Sequence, residues 1–137
     1  MLIRPAEKID LKECERLLRI EEFKWPEGNY PYKNYLKQYL DKDYFLVAEE
    51  NGKIVGCLFG EPLKGKLAIL WYFAVDKKFR NKGIGTKLLS RFEANCKKDG
   101  DRWIILYTYS LSKKSLKFYK KRRYHLGNKF VEIEKGI

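Results

Sequence analysis

The chain has 137 residues, 30 Lys and Arg against 18 Asp and Glu, a formal net charge of +12, and 45% apolar residues. That length suits one compact domain, the apolar share excludes a wholly disordered chain, and no apolar run approaches the ~18 residues that a membrane-spanning helix needs. The charge points to an anionic partner: a phosphate-rich cofactor, a nucleic acid or an acidic membrane surface.

The opening Met1-Leu2-Ile3-Arg4-Pro5 contains no apolar stretch of signal-peptide length, which predicts an intracellular, cytoplasmic protein. Residues 1–4 read as a short first strand. Asp10 is placed to cap a helix over 11–23, whose apolar positions Leu11, Cys14, Leu17, Leu18 and Phe23 follow helical spacing. Pro26, Gly28 and Pro31 make 24–31 a loop, and a second short helix follows with Tyr32, Tyr35, Leu36 and Tyr39 or Leu40 on one face. Residues 44–49 and 53–60 are β-rich runs joined by Asn51-Gly52, the dipeptide a type I′ hairpin turn requires. Pro62 and Gly65 end that second run. Residues 67–75, Leu-Ala-Ile-Leu-Trp-Tyr-Phe-Ala-Val, are apolar on both faces and predict a central strand covered on both sides. A strong amphipathic helix spans 83–98, with Ile84, Leu88, Leu89, Phe92 and Cys96 on one side. A strand over 102–109, a helix over 112–122 capped by Ser112, and one or two strands within 124–133 complete the order. The pattern β, α, α, three-strand meander, α, β, α, β predicts a single domain of the mixed α/β (α+β) class, a sheet flanked by helices.

Cys14, Cys57 and Cys96 are widely spaced and His125 is the sole histidine, so no metal site is expected. A catalytic Cys-His pair would have to use His125, among basic residues near the end of the chain. The simpler reading is three small buried hydrophobes.

Chemistry concentrates in Val75-Asp76-Lys77-Lys78-Phe79-Arg80-Asn81-Lys82-Gly83-Ile84-Gly85-Thr86. A buried strand runs into a basic loop, and two glycines open a helix. Helix N-termini present unpaired N–H groups and partial positive charge, so they hold phosphates. Glycines let a diphosphate approach those amides, and Arg80 and Lys82 add charge. The Gly-Lys-Ser/Thr of a nucleotide-binding P-loop and the G-x-G-x-x-G dinucleotide fingerprint are both absent.

This segment resembles the acyl-CoA diphosphate loop of the GNAT family of N-acetyltransferases, Arg/Gln-x-x-Gly-x-Gly/Ala after a strand ending in an Ala-Val-like pair. Here it reads Ala74-Val75, then Arg80-Asn81-Lys82-Gly83-Ile84-Gly85. A second family pattern, Asn-x-x-Ala-x-x-x-Tyr, is matched by Ser112-Lys113-Lys114-Ser115-Leu116-Lys117-Phe118-Tyr119. Tyr119 falls on the family tyrosine; Ser112 replaces the Asn, Ser115 the Ala, and Arg123 a glycine further on.

The resemblance implies the acyl-CoA N-acyltransferase fold, a central mixed, mostly antiparallel sheet flanked by about four helices, with acetyl-CoA as co-substrate, an amine acceptor and no metal. The backbone from Phe73 through Ala74 to Val75, in a strand splayed from its neighbour, would bind the pantetheine arm and acetyl carbonyl. Arg80 to Thr86 would hold the diphosphate, with Ser112 and Ser115 as further cofactor contacts. Tyr119 would protonate the departing thiolate, its pKa of ~10 lying near that of a thiol; as a residue alone it also reads as a core aromatic on a helix face. The family's usual base position matches Ile69, which cannot take a proton. Glu61 is the substitute, with Tyr72 or a water chain as alternatives and a solvated turn residue as the plainer reading. Trp25, Tyr30, Tyr32 and Tyr35 form either an acceptor wall or core packing. The basic run Lys113 to Arg123 is a solvated face or a collector of the cofactor's 3′-phosphate or of an acidic surface. Two other functions compete with transfer: binding acyl-CoA without turnover, and nucleic-acid binding, for which no known motif appears. Dimers are common in the family, so a homodimer belongs among the expected partners.

Overall fold

In the computed structural model of the chain, which describes residues 1–137, five strands join in sequence order into one sheet. They are β1 (Leu2–Pro5), β2 (Phe45–Glu50), β3 (Lys53–Leu63), β4 (Leu67–Val75) and β5 (Trp103–Leu106). Strands β1 to β4 pair antiparallel and β5 lies parallel to β4. The helices are α1 (Leu11–Leu17), α2 (Lys33–Lys37), α3 (Ile84–Lys98) and α4 (Lys113–Lys121). The mixed, mostly antiparallel sheet with four helices is the architecture expected from the sequence. The chain falls into two compact units, 1–106 with the sheet and α1 to α3, and 107–137 with α4.

The alternation of each strand loads both faces of the sheet. Leu11, Cys14 and Leu18 of the α1 segment and Leu36 of α2 join Phe45, Val47, Cys57 and Phe59 in one buried cluster. From α3, Ile84, Leu88, Leu89 and Phe92 are buried, and a Cβ at Gly56 of β3 would come 2.9 Å from Leu88 Cδ1. Each such side chain contributes about 1.5–3 kcal/mol on burial. Asn51 and Gly52 both take positive φ, 50° and 77°, as the hairpin turn demands. The three cysteines are free and buried.

Several expectations about element ends are corrected. The first helix stops at Leu17 instead of reaching residue 23. Positions 21 and 22, which would continue its buried face, are glutamates, and Glu21–Phe23 form only a 3₁₀ turn. Asp10 does not cap that helix through its side chain. Its carboxylate instead accepts the Glu7 N–H (2.8 Å) and a forked pair of bonds from Arg4 (2.7 and 2.9 Å). Strand β3 runs past Gly60 to Leu63. Beyond Phe59 it has no β2 partner, so Pro62 sits on an open edge where its missing N–H costs nothing. Strand β5 ends at Leu106, and its ladder with β4 ends at Leu70↔Leu106. Residues 124–137 form no strand; their Phe130, Val131 and Ile133 stay exposed. Apolar alternation makes a strand only where a neighbour accepts its backbone bonds, and the ladder ends at β5. Ser112 stands at the N-cap position of α4, but its hydroxyl bonds Ser115 Oγ (2.9 Å), not the backbone.

Candidate active site

Beyond Leu70, β4 keeps its ladder with β3 and has no paired strand on its other side. Asp76 N–H donates to Val55 O (2.8 Å), and Val75 pairs with Gly56 in register. By antiparallel geometry, Ala74 then exchanges bonds with Cys57, while the polar groups of Phe73 and Val75 point to the opposite side. On that side no strand pairs with β4 beyond Leu70. The Val75 carbonyl there accepts Arg80 Nε (3.0 Å). The side chain of Ala74 is buried on the core side.

The loop that follows is folded by its own residues. Asp76 Oδ1 accepts the Lys78 N–H (3.0 Å) and caps a 3₁₀ turn over Lys77–Phe79, while Oδ2 accepts Arg16 Nη1 (3.2 Å). The Lys78 N–H first and Arg16 second hold this carboxyl below its usual range against the opposing effect of burial. Asn81 (φ 62°) and Gly83 (φ 81°) are left-handed and aim the chain into α3. A Cβ at Gly83 would meet nothing, so the glycine is required by backbone conformation alone. Asn81, Lys82 and Gly83 are exposed and Gly85 and Thr86 half-buried, while buried Ile84 anchors the helix start. The opening turn of a 15-residue helix thus faces solvent beside Arg80 and Lys82. This is a cradle that an anionic diphosphate fits.

At the other end of β4 the pairing shifts. Phe59 pairs with Tyr72 but Gly60 pairs with Leu70, so Trp71 is an additional residue on β4. Only glycine allows this approach: a Cβ at position 60 would collide with the Ile69 carbonyl oxygen. Glu61, expected at a strand end, lies within β3 opposite Ile69 and is half-buried. Its Oε2 accepts the Trp71 indole N–H at 2.6 Å. Tyr72 OH accepts the Trp25 indole N–H at 2.9 Å. Trp25, Tyr32 and Tyr35 do form a cluster, with Trp25 to Tyr35 centroids 4.9 Å apart. Tyr30 leaves it, lying under the Arg19 guanidinium and donating its hydroxyl to Glu21. The cluster instead takes in Tyr39, Phe59, Phe23 and Tyr72. Burial first, then the hydrogen bond with Tyr39 and the charges of Tyr72 and Glu61, push the Tyr35 hydroxyl far above the usual phenol value. The sequence signal for this corner was Gly60 inside a β-rich run, a mark of a bulge or a close backbone approach.

Within residues 107–137, α4 carries Ser112, Ser115 and Tyr119. The Tyr119 ring packs against Phe118 and Tyr124 (centroids 5.2 and 5.4 Å). Burial pushes its phenol up to about 12, with Arg122 pulling the other way. Lys113, Lys114, Lys117, Lys120 and Lys121 are exposed.

Residues 11–124 match the model of the acetyltransferase (GNAT) family. An uncharacterized N-acetyltransferase of Methanocaldococcus jannaschii is 34% identical over 102 residues, 70% of this chain and 43% of the relative. The chain therefore spans less than half the length of that relative. A transcriptional regulator from Bacillus halodurans superposes with a TM-score of 0.80 at 22% identity, covering 98% of this chain and 99% of the other. The PaiA N-acetyltransferase of Thermoplasma acidophilum, solved with coenzyme A, gives 0.75 at 24% identity, covering 88% and 87%. At these identities the two structures establish the shared fold.

Proposed function

The chain belongs to the acetyltransferase (GNAT) family, and from that membership we propose that it moves an acetyl group from acetyl-CoA to a primary amine by direct attack. The observation that carries this is the end of β4, where the polar groups of Phe73 and Val75 point away from β3 and the strand leads straight into an exposed, glycine-shaped helix start. In this reading the amides from Arg80 to Thr86 hold the diphosphate, and Arg80 and Lys82 add charge. Backbone groups of Phe73, Ala74 and Val75 align the pantetheine arm. An N–H near Val75 stabilises the oxyanion formed when the amine attacks the thioester. Glu61 takes the amine proton. Tyr119, by its match to the family tyrosine, gives a proton to the departing thiolate. With its pKa near 12 it is held as the phenol throughout the physiological range, and it is a weaker acid than an ordinary tyrosine. Ser112 donates its hydroxyl to Ser115, which leaves the Ser115 O–H as a donor, and the remaining oxygen lone pairs of both, for any contact with the cofactor. A cytoplasmic location accords with free, buried cysteines.

The test has two stages. Coenzyme A at millimolar concentration should raise the melting temperature. Thiol release from acetyl-CoA should then rise with at least one amine of a panel holding a peptide with a free N-terminal alanine, a lysine derivative, spermidine and kanamycin. A melting shift with no thiol release from any class would mark an acyl-CoA-binding protein without transferase activity. Absence of both would refute the reading.

A further inference from the structure

Trp71 has no role in any step of the proposed transfer, yet a register shift of the sheet places it. It is the additional residue of the β4 bulge, immediately after Leu70, the last residue paired with β5. The bulge exists because Gly60 lets the Ile69 carbonyl approach β3. A bulge re-aims the side chain it carries, and this one brings the Trp71 indole N–H to Glu61 Oε2 at 2.6 Å. That is a short, charge-assisted bond to a carboxylate. Glu61 sits across from Ile69 on β3, and its charge is felt at Tyr35 of the aromatic cluster. One carboxylate oxygen is thus fixed by the indole at the point where β4 loses its neighbour.

We propose that Trp71 is a positioning residue for the amine-deprotonating carboxylate: its indole N–H holds one oxygen of Glu61 so that the other faces the incoming amine. The inference rests on the assignment of Glu61 as base. A flexible glutamate at a strand edge samples several rotamers, and fixing one of them is how a neighbouring donor raises the rate of a proton transfer without touching the substrate. The indole contributes geometry alone and exchanges no proton.

The experiment is a double-mutant cycle on Trp71→Phe and Glu61→Gln, with acetyl-CoA and the fastest amine of the panel. Glu61→Gln should lower kcat about 100-fold, the lower end for losing a general base. Trp71→Phe should lower kcat about tenfold and leave the KM for acetyl-CoA within about twofold. The double variant should be no slower than Glu61→Gln alone, because the indole acts only through the carboxylate. Trp71→Gln, which restores an N–H donor, should recover part of the loss. In nitrogen-edited NMR, the Trp71 indole proton should shift in Glu61→Gln. If Trp71→Phe costs the same factor with and without the glutamate, or acts on KM instead of kcat, the indole serves packing and the inference is wrong. Full activity in Trp71→Phe beside an impaired Glu61→Gln overturns it alone. Full activity in Glu61→Gln overturns the base assignment and the inference with it.

Discussion

An alanine at position 60 would drive its Cβ into the Ile69 carbonyl oxygen, backbone that cannot move aside without undoing the bulge. Gly60→Ala should therefore cost about 3 kcal/mol in urea unfolding and displace Glu61 from Trp71. At Gly56 an added Cβ comes closest to the flexible end of Leu88, at 2.9 Å, with Ile84 Cγ2 and Ala48 Cβ at ordinary contact distances of 3.4 and 3.5 Å, so Gly56→Ala should cost about 1 kcal/mol in the same measurement. Arg4 and Asp10 form a second fixed point, joined by Glu49 (2.9 Å). Burial acts to raise the Asp10 carboxyl, but the bonds from Arg4 and from the Glu7 N–H outweigh it and hold it below its usual 3.8. A depressed carboxyl contributes stability above its unfolded value and loses it as pH falls below, so acid unfolding should steepen from about pH 4 downward. Arg4→Ala leaves that carboxylate buried without its partner and should cost roughly 3 kcal/mol at pH 7, with a flatter acid limb. For Tyr119 the sign reverses. Its raised value means the folded state keeps the proton longer than the unfolded chain, so this contribution is complete below about pH 10 and is lost by about pH 12. Tyr119→Phe should remove that alkaline loss in thermal melts at high pH, and should lower kcat if the phenol supplies the leaving-group proton.

At the scale of elements, helix α3 was legible nearly to the residue because its apolar positions recur on one face and a glycine precedes it. Its beginning at Ile84 depends on Gly83 at φ 81°. A β-branched side chain there is strained whatever room surrounds it, so Gly83→Val should weaken coenzyme A binding about tenfold in calorimetry while Gly100→Ala, far from the loop, leaves it unchanged. The hairpin at Asn51-Gly52 was legible for the same reason: two residues whose backbone preference allows one turn. Less legible were elements whose limits are set by a partner. Helix α1 ends where two glutamates occupy the buried stripe, β5 ends where the bulge of β4 begins, and the apolar alternation near residue 130 has no neighbour to pair with. Proline 62 punctuates a chain in isolation, yet on an open edge it interrupts nothing. The proposed diphosphate loop is contiguous, so the proposal can be made from one segment of sequence. The Glu61–Trp71 pair could not be read in this way, since it joins residues on two strands through a register shift that spacing alone does not reveal.

For the whole molecule, a net charge of +12 favours the approach of an anion such as the proposed co-substrate. Binding of coenzyme A should weaken as sodium chloride rises from 50 to 500 mM, mainly through slower association, since exposed lysines are screened within a Debye length of about 10 Å at 0.1 M. The buried thiols have a practical consequence of another kind. Cys14 and Cys57 are wholly enclosed and Cys96 nearly so; burial pushes the Cys96 thiol up to about 12, while the hydrogen bond with Cys14 first and burial second hold Cys57 well above its ordinary value. Only a thiolate attacks an aromatic disulfide reagent, so the folded protein should be silent toward the dye that reports liberated coenzyme A. In denaturant the same dye should titrate three sulfhydryls per chain, which makes one colorimetric reagent both the turnover readout and an internal gauge of how much of the sample is intact.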